Sequence, residues 1–331
     1  MFRLKVRPKV AFAASVLSSL CALSLLGAGG CGLGPPRTPD SMGSPLKGPE
    51  GTFARDPQDR AVSVYVSKKW GFSTSSYFIE GPSGLVMIDM QFLPSAADEA
   101  IHLAQNATHK NVVAGIALHA NPDKFNGATQ VRGHGGKALT SSQVLELIPH
   151  IHEIRHTAFY ERYKPDYPNT MPKLESFGDR DMTLEVAGVS LGIHILGAGC
   201  SESHVVITWK HHVFVGDLVA NGFHSWLEIG KTDEWLKRLS EIRALGATRV
   251  HPGRGPSGDA SLLAKEEDYL RTVISLVAAE NPTNEEDDAG VSRAIAAVEK
   301  RFPKLDAPVF LRIGIPAEWA RQARLRIAAP R

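Results

Sequence analysis

The hydrophobic positions of this chain change rhythm several times between residues 60 and 327, and each change marks an element. Val62, Val64 and Val66 alternate with small and polar residues, the period-two signature of a strand. Residues 76–80 and 85–89 flank Gly81-Pro-Ser-Gly84, which predicts a hairpin. Helical spacing follows over 94–105, then a short apolar run over 112–118 that reads as a buried strand ending at His119. A helix is expected after Ser141 or Ser142, kinked or divided at Pro149 because proline removes a backbone donor. The second half repeats the mixture, with strands at 182–186, 190–196, 204–209 and 213–215. A helix follows from Thr232, read as an N-cap ahead of Asp233 and Glu234, and a strand at 249–251. Helices then dominate: 259–279, 285–302 and 316–327. Strands before helices, twice over, predict an α/β (α+β) chain with two sheets face to face and helices outside, a four-layer αββα sandwich.

The N-terminus has a different pattern. Arg3, Lys5, Arg7 and Lys9 precede an almost wholly apolar or small stretch over 10–26, and Leu26-Gly-Ala-Gly-Gly-Cys31 closes it. This fits a signal peptide over 1–31 that resembles a bacterial lipobox, with Cys31 available for lipidation. The apolar run is short for a retained membrane anchor, the alternative reading. Gly32 to Gly51 is rich in proline, glycine and serine, so we expect a tether at 32–58, a folded domain at 59–275 and a C-terminal helical extension at 276–331 packed on it. Removing the four basic residues of the signal leaves 33 Lys and Arg against 35 Asp and Glu, and the formal charge moves from +2 to −2. Nothing in that balance favours nucleic acid, and membrane contact is expected only through the lipid at Cys31. Cys21 lies in the signal, so Cys200 is the one thiol of the domain and no disulfide can form within it. The expected location is the periplasmic face of a bacterial outer membrane, with secretion or a free periplasmic form as the alternative.

Four segments carry the candidate chemistry: 76–89, ending in Val86-Met-Ile-Asp89; His119-Ala-Asn-Pro-Asp123-Lys124; Gly197-Ala-Gly-Cys200 running on to Gly216-Asp217-Leu218; and His251-Pro-Gly-Arg254-Gly255. Their order and spacing over about residues 60–275 resemble the metallo-β-lactamase-fold hydrolases. In that family a His-x-His-x-Asp-His loop at a strand end, a Gly-x-Gly-His, a Gly-Asp-Leu aspartate and a Pro-Gly-His-Gly hold two metal ions, usually zinc. Such ions polarise a substrate carbonyl and supply hydroxide near neutral pH. By this resemblance His119 matches the first histidine, Asp123 the aspartate of the loop and Asp217 the bridging aspartate. Asp89 matches a carboxylate that supports the metal loop.

Four positions depart. Asn121 and Lys124 stand where the second and third histidines belong, Cys200 takes the place of the Gly-x-Gly-His histidine, and Arg254 that of the last. A cysteine thiolate is a good zinc ligand, so the resemblance leaves a metal set of His119, Asp123, Cys200 and Asp217, with Asp123 or Asp217 orienting water as the catalytic groups. His204 and His251 are possible extra ligands, although three or four residues of extended strand is far for a simple exchange. Adjacent His211 and His212 fall in a hairpin turn and are expected to be solvated; His150, His152 and His156 lack partners at ligand spacing. Because Lys124 and Arg254 are both cationic, a sharper expectation is that they ion-pair with Asp123 and Asp217 in a wholly or partly metal-free pocket.

Two functions follow. The first is an exported hydrolase of small esters, thioesters, lactones or amides with at most one well-held zinc. The second is a non-catalytic lipoprotein that binds an anionic ligand through Lys124 and Arg254.

Overall fold

The computed structural model of the chain describes residues 49–328; the expected signal peptide, Cys31 and most of the expected tether lie outside the described residues. Thirteen strands are described, in two sheets. The first sheet runs, in order, β1 (Thr52–Arg55), β2 (Val62–Val66), β3 (Ser75–Gly81), β4 (Gly84–Ile88), β5 (Val112–Ile116), β6 (Lys137–Thr140) and β7 (Glu175–Ser176). The second runs from β13 (Gly258–Asp259) through β12 (Arg249–Arg254), β11 (His212–Ala220), β10 (His204–Trp209) and β9 (Val189–Leu196) to β8 (Met182–Val186). β4 to β7 pair in parallel, as do β11 and β12, and the other neighbours are antiparallel.

The period-two pattern divides the second sheet between two cores. Val205 and Ile207 of β10 and Phe214 of β11 face the first sheet, packing with Phe78, Met87 and Ile116. Val206, Val213 and Val215 face the other way, onto Trp235 and Leu239 of the helix Thr232–Ala244 and Leu270 and Val273 of the helix Ser261–Ala279. On the outer face of the first sheet lie α1 (Pro94–Thr108), α3 (Ala128–Gly133) and α4 (Ser142–Tyr163); α2 (Pro122–Phe125) is a single turn between β5 and α3. The helices on the far side are α5 (Thr232–Ala244), α6 (Ser261–Ala279), α7 (Asp288–Arg301) and α8 (Leu311–Ala328). The result is the expected αββα order of layers.

Several boundaries differ from the sequence expectation. β1 pairs with β2 from Thr52, inside the segment assigned to the tether, because Phe53 packs edge-on against Phe78. Pro149 does not divide α4; it sits inside one 22-residue helix whose N-cap, Ser141, accepts from the Val144 amide. Thr232 is the first helical residue rather than the cap, and its hydroxyl donates to Glu318 of α8 at 2.7 Å. The C-terminal helices are part of the second core: Val298, Leu311 and Trp319 are buried with Leu270 and Val277.

Trp319 is the largest side chain this region adds to the core, and its indole donates to the Asn284 carbonyl at 3.0 Å. Trp319→Ala is expected to cost about 3–5 kcal/mol in a denaturant titration. A loss below about 1 kcal/mol would mean that the C-terminal helices are peripheral to the domain's stability.

Candidate functional site

Three strand ends and one helical turn place the site. β4 ends at Ile88, and Asp89 turns away in the left-handed region, at φ 60°. Its Oδ1 accepts from the Leu118 amide at 2.9 Å, tying the end of β4 to the segment that leaves β5. That segment delivers His119 and Asn121, and α2 follows at once with Asp123 and Lys124. Asp217 lies within β11, and Arg254 ends the parallel neighbour β12. The two strands approach so closely there that a Cβ on Gly253 would lie 2.0 Å from Asp217 Oδ1, so only glycine fits.

These residues form a buried lattice of charge. Lys124 Nζ lies 2.8 Å from Asp217 Oδ1, 3.0 Å from Asp123 Oδ2 and 3.6 Å from Asp89 Oδ2, and the side chain has no solvent exposure. Arg254 donates through Nη2 to Asp123 Oδ2 at 2.9 Å, pairs through Nη1 with Asp217 Oδ2, and spends Nε on the Phe72 carbonyl at 3.0 Å. Thr74 donates a further bond to Asp123 Oδ2 at 2.8 Å. Burial alone would push the carboxyl pKa values up, but the ammonium and guanidinium outweigh it, and Asp123 and Asp217 stay below the usual carboxylate range. Burial would likewise lower Lys124, and the three aspartates reverse that and raise it. Asp89, with only the more distant edge of the ammonium, is pushed by burial to about 7.

Beside this lattice, His119, Cys200 and His204 form a buried group whose donor atoms all lie within 4.8 Å of one another, a set that could hold a metal ion. Cys200 Sγ is 3.8 Å from His204 Nε2, and the His119 and His204 rings are 5.1 Å apart. Distance along the strand misleads here, because residues 200–203 bend back instead of extending and His204 returns to Cys200. Burial holds His119 neutral, at about 4, drives His204 well below its ordinary value, and pushes the Cys200 thiol well above its own. Asn121 Nδ2 contacts His119 Nε2 at 3.3 Å.

The other expected ligands lie elsewhere. Asp123 and Asp217 are bound by Lys124 and Arg254 and are outside the His119–Cys200–His204 group, so neither is free as a metal ligand or to orient water. His251 points away from the site: its Nδ1 meets Ser257 Oγ at 2.8 Å and its Nε2 meets His212 Nδ1 at 2.9 Å. His212 is wholly buried, not solvated, with Nε2 3.3 Å from Asp59 Oδ2. The ionised Asp59 orients this chain, so that His212 and His251 each donate toward the carboxylate and Ser257 donates to His251. His152 and His156 remain at the partly exposed surface of α4.

A pocket opens over the charge lattice. Its floor is Asn121, Asp123 and Arg254, and its walls are Phe72, Phe92, Phe159 and Trp226 with Arg155. No sequence pattern marks Arg155, which lies on α4 far from every motif and pairs with Glu228 while stacking over Trp226 at 5.6 Å. Phe310, just before α8, lies 5.2 Å from the Arg254 guanidinium. Lys124, Asp217, His119, Cys200 and His204 do not line the pocket.

No sequence-family description and no curated protein matches the chain. Solved structures do. A metallo-beta-lactamase from Pontibacter korlensis aligns at 19% identity and TM-score 0.54, over 67% of this chain and 99% of that one. FIM-1 from Pseudomonas aeruginosa, in its mono-zinc form, aligns at 16% and 0.54, over 67% and 95%. TMB-1 aligns at 17% and 0.52, over 68% and 98%. The fold is the metallo-β-lactamase fold. Within it, the residues present do not fit a pair of metal ions. Lys124 Nζ sits among the three carboxylates, and Arg254 takes the remaining faces of two of them. A single metal ion finds its donors only in His119, Cys200 and His204 among the described residues.

Two predictions follow from the buried charges. Lys124→Met leaves three buried carboxylates with one guanidinium between them, and is expected to cost about 3–5 kcal/mol in urea unfolding. The same substitution in an Asp217→Asn background should cost markedly less; equal costs in both backgrounds would mean that Lys124 and Asp217 are not coupled. Stability should also fall in acid. Burial puts His119 and His224 at about 4 and His251 at about 3, so below about pH 6.5 the unfolded chain takes up protons that the fold refuses. Asp89 and Glu266, both pushed to about 7, work the other way between about pH 4 and 7. The histidines are more numerous, since His204 and His212 are lowered as well, so the melting temperature should rise from about pH 4.5 to 6.5. A flat or falling profile would contradict the buried neutral histidines.

Proposed function

We propose that this protein is an exported lipoprotein, anchored through Cys31, that binds a small molecule on a metallo-β-lactamase fold without hydrolysing it. One observation carries the reading: a wholly buried Lys124 ammonium lies within 3.0 Å of both Asp123 and Asp217, where a hydrolase of this fold needs carboxylates free for metal and water. Lys124 and Arg254 offset Asp123 and Asp217, so the pocket floor offers no free carboxylate.

The ligand class follows from the walls. Phe72, Phe92, Phe159 and Trp226 suit a flat apolar body, and Arg155 suits an anionic end such as a carboxylate. Lys124 takes no part in this contact, contrary to the sequence expectation, because it has no exposed surface. No helix among the described residues is long and apolar enough to cross a membrane. The His119–Cys200–His204 group favours a second reading, a hydrolase of esters, thioesters, lactones or amides using one zinc. Against it, none of the three residues lines the pocket.

Fluorescence of Trp226, which lines the pocket, gives the test. An aromatic carboxylate such as 2-naphthoate should change tryptophan emission saturably. Arg155→Ala should weaken its binding about tenfold, equivalent to about 1.4 kcal/mol, and zinc should produce no turnover of ester, thioester, lactone or β-lactam substrates. Zinc-dependent turnover that is lost in Cys200→Ser would replace this reading with the hydrolase.

A further inference from the structure

We propose that His119, Cys200 and His204 form a buried three-coordinate site for a soft monovalent metal ion, copper(I), behind the pocket floor. The inference goes beyond ligand binding in the pocket, which the site does not touch.

Donor chemistry comes first. Two neutral imidazoles and one thiolate are soft or borderline ligands, which select copper(I) or zinc over magnesium, calcium or manganese. The distances then suit donors that share one ion. With metal–nitrogen and metal–sulfur bonds of about 2.0–2.3 Å, a trigonal arrangement puts nitrogen and sulfur about 3.8 Å apart. Cys200 Sγ and His204 Nε2 are 3.8 Å apart already, and the three donors lie within 4.8 Å of one another.

Two further observations point to a ligand at this place. His204 Nε2 faces the Cys200 sulfur, and all three side chains are sealed from water, at 0%, 2% and 1% exposure for His119, Cys200 and His204. Gly199 also keeps the approach to His204 open: a Cβ there would lie 3.2 Å from His204 Nε2 and 2.5 Å from Leu218. A metal at His204 Nε2 displaces the Ser201 amide that this atom now accepts at 3.1 Å.

Charge decides between the two soft ions. Copper(I) and one thiolate sum to zero, whereas zinc(II) and one thiolate leave a net positive charge in a water-poor interior. The neighbouring carboxylates are turned to other partners, Asp123 and Asp217 to Lys124 and Arg254, and Asp89 to the Leu118 amide and the edge of Lys124. Zinc also prefers a fourth ligand. Asp217 Oδ2, 3.6 Å from His119 Nε2, is held by the Arg254 guanidinium. On binding, one copper–sulfur bond forms, the Cys200 S–H bond breaks and its proton passes to solvent; no electron is transferred.

The test is an anaerobic titration of the full-length protein with copper(I) buffered by bathocuproine disulfonate, read by the near-ultraviolet thiolate-to-copper band. The expected result is one copper(I) per chain with that band present. Zinc(II) should be lost on gel filtration, and Cys200→Ser should weaken copper binding at least about a hundredfold, since even outer-shell changes cost tenfold to a hundredfold. Circular dichroism establishes that the variant is folded; if it is not, the wild-type band decides alone. Absence of the band, copper binding that persists in a folded Cys200→Ser, or zinc held as firmly as copper would each overturn the proposal. Binding of 2-naphthoate is read separately and should be the same with and without copper, so loss of either result leaves the other standing.

Discussion

A lysine ammonium shut away from water among three aspartates is the constraint around which this site is organised. Lys124 cannot be buried alone, because desolvating an ammonium costs several kcal/mol. Asp123 and Asp217 cannot be buried alone for the same reason, and each needs more than one cation to remain ionised in the interior. The guanidinium of Arg254 completes the set by reaching both carboxylates at once, which its forked geometry allows and a second lysine would not. Each member is tolerable only because the others are present. The strand ends that supply them, from β4, β5, β11 and β12, are thereby fixed relative to one another across the two sheets.

That lattice separates two regions with different chemistry. Outside it lies an aromatic pocket edged by two arginines; behind it lie two imidazoles and a thiol with no solvent contact to speak of. In a metal hydrolase of this fold the substrate and the metal must meet. Here Asp123 and Arg254 stand between them, and they are held by bonds that a small ligand would have to break. Binding at the front and metal capture at the back are therefore separable properties of one scaffold, which is how a shared fold carries different functions.

The C-terminal helices also shape the pocket, more than an appended extension would. The segment leading into α8 brings Phe310 to 4.9 Å from Trp226 and 5.2 Å from the Arg254 guanidinium, so the far helical layer reaches round to the mouth of the pocket. Glu318, buried in α8, is satisfied by Thr232, Arg321 and Gln322, and this ties the same helix to the start of α5. Packing of the last helices and the shape of the pocket are therefore linked through one stretch of chain.

The fold was legible in the sequence because its signals are local. Alternating apolar residues in β2, the Gly-Pro-Ser-Gly turn between β3 and β4, and the order of the four motifs all survive without knowledge of what packs against them. The cationic replacements Lys124 and Arg254 likewise announced a charge pairing with Asp123 and Asp217, since carboxylates at such positions need an opposite charge whatever the details. What the tertiary structure alone decided was direction and access. His204 and His251 look equivalent from their spacing, yet the bend at residues 200–203 returns one to Cys200, while β12 turns the other toward His212 and Ser257. Arg155 and Phe310 reach the pocket from helices and turns distant in sequence, with no motif to mark them. Local propensity is written residue by residue, but which side chains meet, and which are sealed from water, depends on how the layers close over one another.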